Sequence, residues 1–306
     1  MKRYQSNVQR FTRVGPVSNA VFNVLFLALS AVCLIPFLLV VSISLSEEAS
    51  IWTYGYRLIP KVFSWDGYAY LYKYRTVMLR SLGMSVFVTG AGTVLGLILT
   101  TSMGYALSRL EFKLHKFYTW FVFIPMVFSG GMVSSYFVVT QFLKLRNSPL
   151  VLILPLCISS FNVIICRTFF RSTIPDSVVE SALIDGAGQL TVFFRIVLPL
   201  SLPVLATIGL FLSFGYWNDW FTALLYIDKT ELLTLQAYLN RLLDNIDFLL
   251  TNASRLGVSQ AELLASLPRE AARMAIVVIT VLPVACVYPF FQRYFISGLT
   301  VGAVKG

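Results

Sequence analysis

Residues 171–190 read Arg171-Ser-Thr-Ile-Pro-Asp-Ser-Val-Val-Glu-Ser-Ala-Leu-Ile-Asp-Gly-Ala-Gly-Gln-Leu190, the centre of a polar connection set between long uncharged segments. From Arg167 to Arg195 that connection is 29 residues, too long for a plain turn, so it should carry structure of its own. Pro175 and Asp176 look like a helix start, Ser177 and Glu180 have capping-box spacing, and Gly186 can take the left-handed conformation that ends a helix. The spacing predicts one short helix from about Ser177 to Asp185. Val178, Val179, Ala182 and Leu183 fall on one side of it, and Glu180, Ser181 and Asp185 are polar. Such a helix suits docking into a groove. Phe193, Phe194, Ile196 and Val197 then lead into the next apolar segment, where Pro199 and Pro203 should bend the chain, so a force on the short helix would pass directly to a membrane helix.

Working outward, six stretches carry no Asp, Glu, Lys or Arg: 33 residues between Arg13 and Glu47, 28 between Arg80 and Arg109, 27 between Lys116 and Lys144, 20 between Arg146 and Arg167, 23 between Arg195 and Asp219, and 19 between Arg273 and Arg293. All exceed the length of about 18 at which an apolar run is read as bilayer-spanning. With 57% hydrophobic and 12% charged residues and a mean hydropathy of +0.77, the 306-residue chain is an all-α membrane protein with six transmembrane helices. The spans are placed at about 18–45, 81–108, 117–142, 147–167, 197–226 and 274–296 of a single domain, with a polar loop at 168–197 and another at 227–273. The first segment is too long for a signal-peptide core of roughly 7 to 15 residues, and Pro36 should kink it. An even number of spans puts both termini on one side. The Lys and Arg residues divide 12 to 12, but the basic N-terminus lies close to its span and favours an inside start.

Several function classes drop out. Cys33, Cys157, Cys166 and Cys286 all lie in apolar spans, where a thiol behaves as a small hydrophobe, and no metal site or disulfide framework is implied. His115 is the sole histidine and sits in a short polar loop, which removes the commonest component of catalytic triads and zinc sites. No Gly-x4-Gly-Lys-Ser/Thr run is present, so the chain should bind no ATP itself, energy would come from a separate subunit, and no cofactor is expected. The net charge of +10 is spread along the flanks of apolar segments, unlike the clustered basic face of a nucleic-acid binder.

The 171–199 segment resembles the EAA loop of binding-protein-dependent ABC importer permeases, whose pattern is Glu-Ala-Ala, three residues, Gly, nine residues, Ile, one residue, Leu-Pro. Here it reads Glu180-Ser181-Ala182, Gly186, Ile196 and Leu198-Pro199, with every spacing kept and Ser181 replacing the middle alanine. Tyr105-Ala-Leu-Ser-Arg109, the run from Pro125 to Gly130-Gly131, and Tyr216-Trp-Asn-Asp-Trp-Phe221 extend the resemblance to the MalG-like carbohydrate permeases of the complex-saccharide branch. The resemblance implies a type I importer (MetI-like) fold with a cytoplasmic coupling helix between helices 4 and 5. It also implies a second homologous permease, two cytoplasmic ATPase subunits, an extracytoplasmic solute-binding protein, a sugar substrate and a bacterial plasma membrane with both termini cytoplasmic. Glu180, Ser181, Ala182 and Gly186 would then couple to the ATPase, and Asp185 joins them by position.

Polar residues within spans usually face a cavity or a partner helix. Asn162 in the fourth span, and Asn218 and Asp219 among Tyr216, Trp217 and Trp220 at the end of the fifth, could meet a sugar by ring stacking and hydroxyl pairing. An aromatic belt at the membrane interface, or an interhelical hydrogen bond for Asn162, would account for the same residues. Leu232, Leu235, Tyr238, Leu239, Leu242, Leu243 and Ile246 predict an amphipathic helix in the 227–273 loop, packed on the protein's own surface or met by a partner. An ion-gradient carrier is the alternative class, but it usually shows inverted repeats and buried ionisable groups, and neither stands out here.

Overall fold

The computed structural model describes residues 15–109, 111–252 and 268–303. The basic residues of the N-terminal stretch 1–14, which bear on orientation, lie outside it. The described residues are helical, with one isolated antiparallel bridge between Ser46 and Phe63. Three helices are long and apolar enough to cross a membrane unbroken: Pro16–Ser44, Arg75–Ser108 and Arg269–Pro289. Three further crossings are bent pairs, His115–Val127 with Gly131–Phe142 at 118°, Pro149–Leu156 with Ser160–Thr173 at 49°, and Gln189–Leu200 with Leu202–Asn218 at 86°. Among the described residues the count reaches six with each bent pair taken as one passage, and half of the six are then broken rather than straight.

The boundaries depart from the uncharged gaps for physical reasons. The second span starts at Arg75 rather than near residue 81, and the last at Arg269 rather than 274. A charge marks where a helix leaves hydrocarbon, not where its hydrogen bonding starts. At 34 residues the second span measures about 51 Å, well beyond the roughly 30 Å hydrocarbon core. The fourth runs on to Thr173, stopping just ahead of Pro175, which pushes Ile174 into an extended conformation at φ −99° and ψ 109°. The fifth ends at Asn218, not 226, and its 86° bend falls at Ser201, between Pro199 and Pro203 as expected. The third is interrupted around Gly130-Gly131, with Gly131 at φ +80°. The first helix continues through Pro36 without a break.

By their contacts the residues fall into two compact units. One takes the chain up to Lys73 together with Leu249–Ile279. It holds α1 (Pro16–Ser44), α2 (Glu48–Tyr54), α3 (Asp66–Lys73) and the beginning of the last helix, Arg269–Ala303. Ile43, Ile51 and Ala271 form its buried core, with Leu39 and Met274 against them. Buried Glu48 accepts the backbone N–H groups of Glu270 and Ala271, each at 3.1 Å, and so caps the last helix from more than two hundred residues away. Tyr56 donates to the Glu270 carboxylate at 3.0 Å, a bond that, with burial, pushes its phenol above the ordinary 10.0. The apolar length of α1 beyond this core is exposed to its surroundings.

The other unit runs from Tyr74 to Phe248 and resumes at Thr280. Its spine is α4 (Arg75–Ser108), followed by α5 (His115–Val127), α6 (Gly131–Phe137), α7 (Pro149–Ile153) and α8 (Ser160–Thr173). Next come α9 (Asp176–Ile184), α10 (Gln189–Val192), α11 (Leu198–Leu200), α12 (Leu202–Asn218), α13 (Phe221–Tyr226) and α14 (Leu235–Thr251). Helices α8 and α12 pack along α4, where small residues let backbones approach. A Cβ at Gly104 would lie 2.6 Å from Cys166 Cβ, one at Gly96 2.8 Å from the Cys157 carbonyl oxygen, and one at Gly92 2.4 Å from the Tyr216 ring. The predicted amphipathic helix is α14, with Leu235, Tyr238, Leu239, Leu242 and Ile246 buried on the protein's own surface. Its first N–H bonds the Ser85 hydroxyl at 2.8 Å.

Candidate functional site

The predicted loop helix is α9, opening after Pro175 with Asp176 in its first turn, where a carboxylate favours the helix dipole. The expected capping box does not form. Pro175 is the N-cap, so Ser177 already lies inside the helix, and the side-chain bond found there is Ser181 Oγ to the Ser177 carbonyl at 2.8 Å. The C-terminus closes as a Schellman motif: Ala187 N–H bonds the Ala182 carbonyl and Gly186 N–H that of Leu183, both at 3.0 Å, with Gly186 at φ +84°.

The apolar side of α9 is divided differently from the sequence expectation. Val179 is buried, and Ala182 and Leu183 are half-buried, within the chain itself. The outward surface combines Glu180, Ser181, Asp185 and Gly186 with exposed Val178 and Ile184, the latter 85% accessible. Leu190 and Phe194 continue it past Gly188. A polar rim around a few uncovered aliphatic groups is what a docking surface needs.

Behind α9 stands the end of α4. Arg109 Nη1 pairs with Asp176 Oδ1 at 2.8 Å, its Nη2 reaches the Phe170 carbonyl at 3.5 Å, and its guanidinium lies 5.3 Å from the centre of the Tyr105 ring. Tyr105 is buried between Phe170, 6.2 Å away edge-on, and Phe193 at 5.3 Å. Arg167 Nε donates to the Leu107 carbonyl at 3.3 Å. A cavity of about 600 Å³ lies here, with Tyr105, Arg109, Asp176, Glu180, Leu190 and Phe193 in its wall.

The residues read as a substrate path separate into two groups. Tyr216 is buried and donates its hydroxyl to the Ile153 carbonyl at 2.7 Å; buried Trp217 donates Nε1 to the Thr280 carbonyl at 3.1 Å. Both thus spend their polar atoms inside the protein. Asn162 is buried on α8. Asn218 is exposed, bonding back to the Phe214 carbonyl at 3.0 Å, and Trp220 is exposed beside Phe221. Asp219, just ahead of α13, accepts from Thr222 N–H in its first turn at 3.1 Å. Near them an apolar cleft of about 490 Å³ runs between α4, α12 and the last helix, walled by Val86, Thr89, Phe214, Trp217 and Val287.

With that geometry in place the likeness to known proteins becomes specific. The family described as "Binding-protein-dependent transport system inner membrane component" matches residues 92–301, from the middle of α4 through α9 to the last helix. The chain belongs to that family. Protein LplC of Bacillus subtilis (strain 168) is 39% identical to it over 96% of this chain and 97% of LplC. The polygalacturonan/rhamnogalacturonan transport system permease protein YtcP of the same organism is 37% identical over 95% of this chain and all of YtcP. A crystal structure of a bacterial ABC transporter involved in the import of the acidic polysaccharide alginate aligns with a TM-score of 0.75 at 27% identity, over 93% of this chain and 98% of that one. As an inner membrane component of a binding-protein-dependent system, the chain is a transport subunit, and the ion-gradient carrier is set aside.

Two site features of this transport component were not singled out from sequence. One is the Arg109–Asp176 tie, whose partners are 67 residues apart; the run Tyr105-Ala-Leu-Ser-Arg109 drew attention to the arginine at the end of an apolar span but not to its partner. The other is the clasp in which Asp228 bonds Arg146 Nη2 at 3.0 Å and Asn147 Nδ2 at 2.9 Å, holding the chain before α7 to the chain after α13. Those two hydrogen bonds, Asn147 first, keep the Asp228 carboxyl below its ordinary 3.8.

Proposed function

We propose that this chain forms half of the translocation pathway of an ATP-driven importer of oligosaccharides, working by alternating access. The observation that carries the proposal is α9: a helix between the fourth and fifth crossings, closed by Gly186, whose outward surface offers Glu180, Ser181 and Asp185 around exposed Val178 and Ile184. That surface docks a cytoplasmic ATPase subunit, and α10 and the bent fifth crossing carry its displacement into the membrane. The assembly comprises this chain, a second homologous permease, two ATPase subunits and an extracytoplasmic solute-binding protein, in a bacterial plasma membrane with both termini cytoplasmic. Lipid and the second permease cover the uncovered length of α1.

The cargo class is drawn from relatives whose names specify polygalacturonan and rhamnogalacturonan, arabinooligosaccharides, and melibiose, raffinose and stachyose. Exposed Asn218 and Trp220 meet such a cargo, with Asp219 beside them, while Tyr216 and Trp217 hold the wall behind and Asn162 lies buried on α8. The test is co-purification of the tagged chain from its native membrane, comparing wild type with Glu180→Lys and Gly186→Pro. Wild type brings down an ATPase subunit and supports ATP-dependent uptake, and both variants lose the subunit or the uptake. Isolation of the chain alone, still transporting, would refute the proposal.

A further inference from the structure

The route from α9 into the fifth crossing is a poor lever by itself. It passes through extended Gly188, the four residues of α10, a π-helical turn at Phe193–Val197 and an 86° bend at Ser201, each a joint that can absorb motion. The contact of α9 with α4 is direct. Arg109, 12% exposed, holds the first residue of α9 by a 2.8 Å ion pair, holds the end of α8 through the Phe170 carbonyl, and lies on Tyr105, whose ring is wedged between the residues entering and leaving the loop, Phe170 and Phe193. Above this grip α4 is one unbroken helix, in van der Waals contact with α8 at Gly104 and with Tyr216 of α12 at Gly92. A cavity of about 600 Å³ lies beside Arg109 and Tyr105, and among the described residues the buried Tyr105 hydroxyl has no hydrogen-bond partner.

We infer that Arg109 and Tyr105 are positioning residues of the coupling device, delivering displacement of α9 to the second crossing as well as to the fifth; this rests on the coupling role proposed above for α9. Because Asp176 is 78% exposed, the pair adds little to folding stability, which separates its mechanical role from a structural one.

The experiment uses the complete importer in lipid. Exposed Cys33 and Cys286 are replaced, buried Cys157 and Cys166 are kept, and a nitroxide is attached at Val86→Cys on α4 or Ser213→Cys on α12. Spectra are compared before and after trapping with ATP and vanadate. In wild type both labels respond. In Arg109→Ala and Asp176→Asn the α12 response persists, while that on α4 falls about fivefold, the lower end of ordinary coupling between sites. Arg109→Lys, which keeps the charge facing Asp176, restores part of it. Should Arg109→Ala lose the ATPase subunits, Asp176→Asn decides alone, since it alters one exposed side chain. An undiminished α4 response in Asp176→Asn, with the subunits bound, overturns the inference. Silence at both labels in ATPase-bound wild type would instead sink the coupling role of α9 itself.

Discussion

Gly186 and Gly188 form a matched pair for testing what closes the coupling helix. Neither has a heavy atom within 4 Å of where a Cβ would go, so neither substitution is opposed by packing. They differ in backbone conformation: Gly186 is at φ +84°, Gly188 at φ −72° and ψ 157°. An alanine at Gly186 enters the left-handed region, at a cost of about 1–2 kcal/mol. At Gly188 an alanine gains about 0.4–1 kcal/mol from a stiffer unfolded chain. It gives back a comparable amount because alanine is a poor N-cap for α10, so the net change is close to zero. The reporters are the amides of Gly186 and Ala187, bonded to Leu183 and Ala182, monitored by hydrogen exchange in the purified protein. Gly186→Ala should speed their exchange about tenfold for each 1.4 kcal/mol, with Gly188→Ala near wild type. Equal effects at the two positions, or none at Gly186, would refute the assignment of the left-handed closure as what fixes the end of α9.

Tyr216→Phe removes the donor to the Ile153 carbonyl at a buried site and should cost about 1–3 kcal/mol, read as a lowered thermal midpoint in detergent. Gly104→Ala places a Cβ 2.6 Å from Cys166 Cβ and must push α4 and α8 apart, an overpacking cost of about 1–3 kcal/mol, whereas Gly90→Ala, which meets nothing within 4 Å, serves as its control. For the Asp228 clasp, the folded-state carboxyl is held below its ordinary 3.8, so its contribution is present above that value and is lost as pH falls through the lower folded one. Protection of Asn147 N–H, bonded to the Tyr226 carbonyl, taken relative to its intrinsic exchange rate at each pH, should therefore fall on acidification below 3.8, and Asp228→Asn should abolish that pH step. Glu48→Ala removes the acceptor for the first amides of the last helix and should destabilise it by about 1–2 kcal/mol, measured by protease susceptibility near Arg269, with Glu48→Gln intermediate.

How much the sequence made legible depends on the physical quantity each signal measures. Uncharged length reports hydrocarbon, so all six crossings could be placed, but it says nothing of whether the backbone inside stays straight; the breaks at Gly130 and at Cys157–Ser159 depend on local turns buried in apolar runs. Proline and glycine have strong local rules, and there the reading was sharp, at the Ser201 bend and the Gly186 closure. The capping box failed because Pro175, with its φ of −62°, is already a suitable entry to the helix, which moves the start one residue ahead of Ser177. Helical spacing named the apolar positions of α9 but could not tell which of them the chain itself would cover. The pairs 109–176 and 147–228 are products of tertiary folding, invisible to any local pattern.

The bond between Glu48 and the start of the last helix has a consequence for how the protein is made. The carboxylate leaves the ribosome long before the amides of Glu270 and Ala271 that it will accept, the first of them 222 positions further along the chain. Throughout that interval the stretch after the first crossing holds a charge that in the finished protein is buried and saturated by Trp52 and by the amides of the last helix. A chain truncated before Arg269 keeps the local bond from Trp52 but lacks the amides that the Glu48 carboxylate accepts in the finished protein, so α2 and the last helix can be locked together only once the end of the chain has been made.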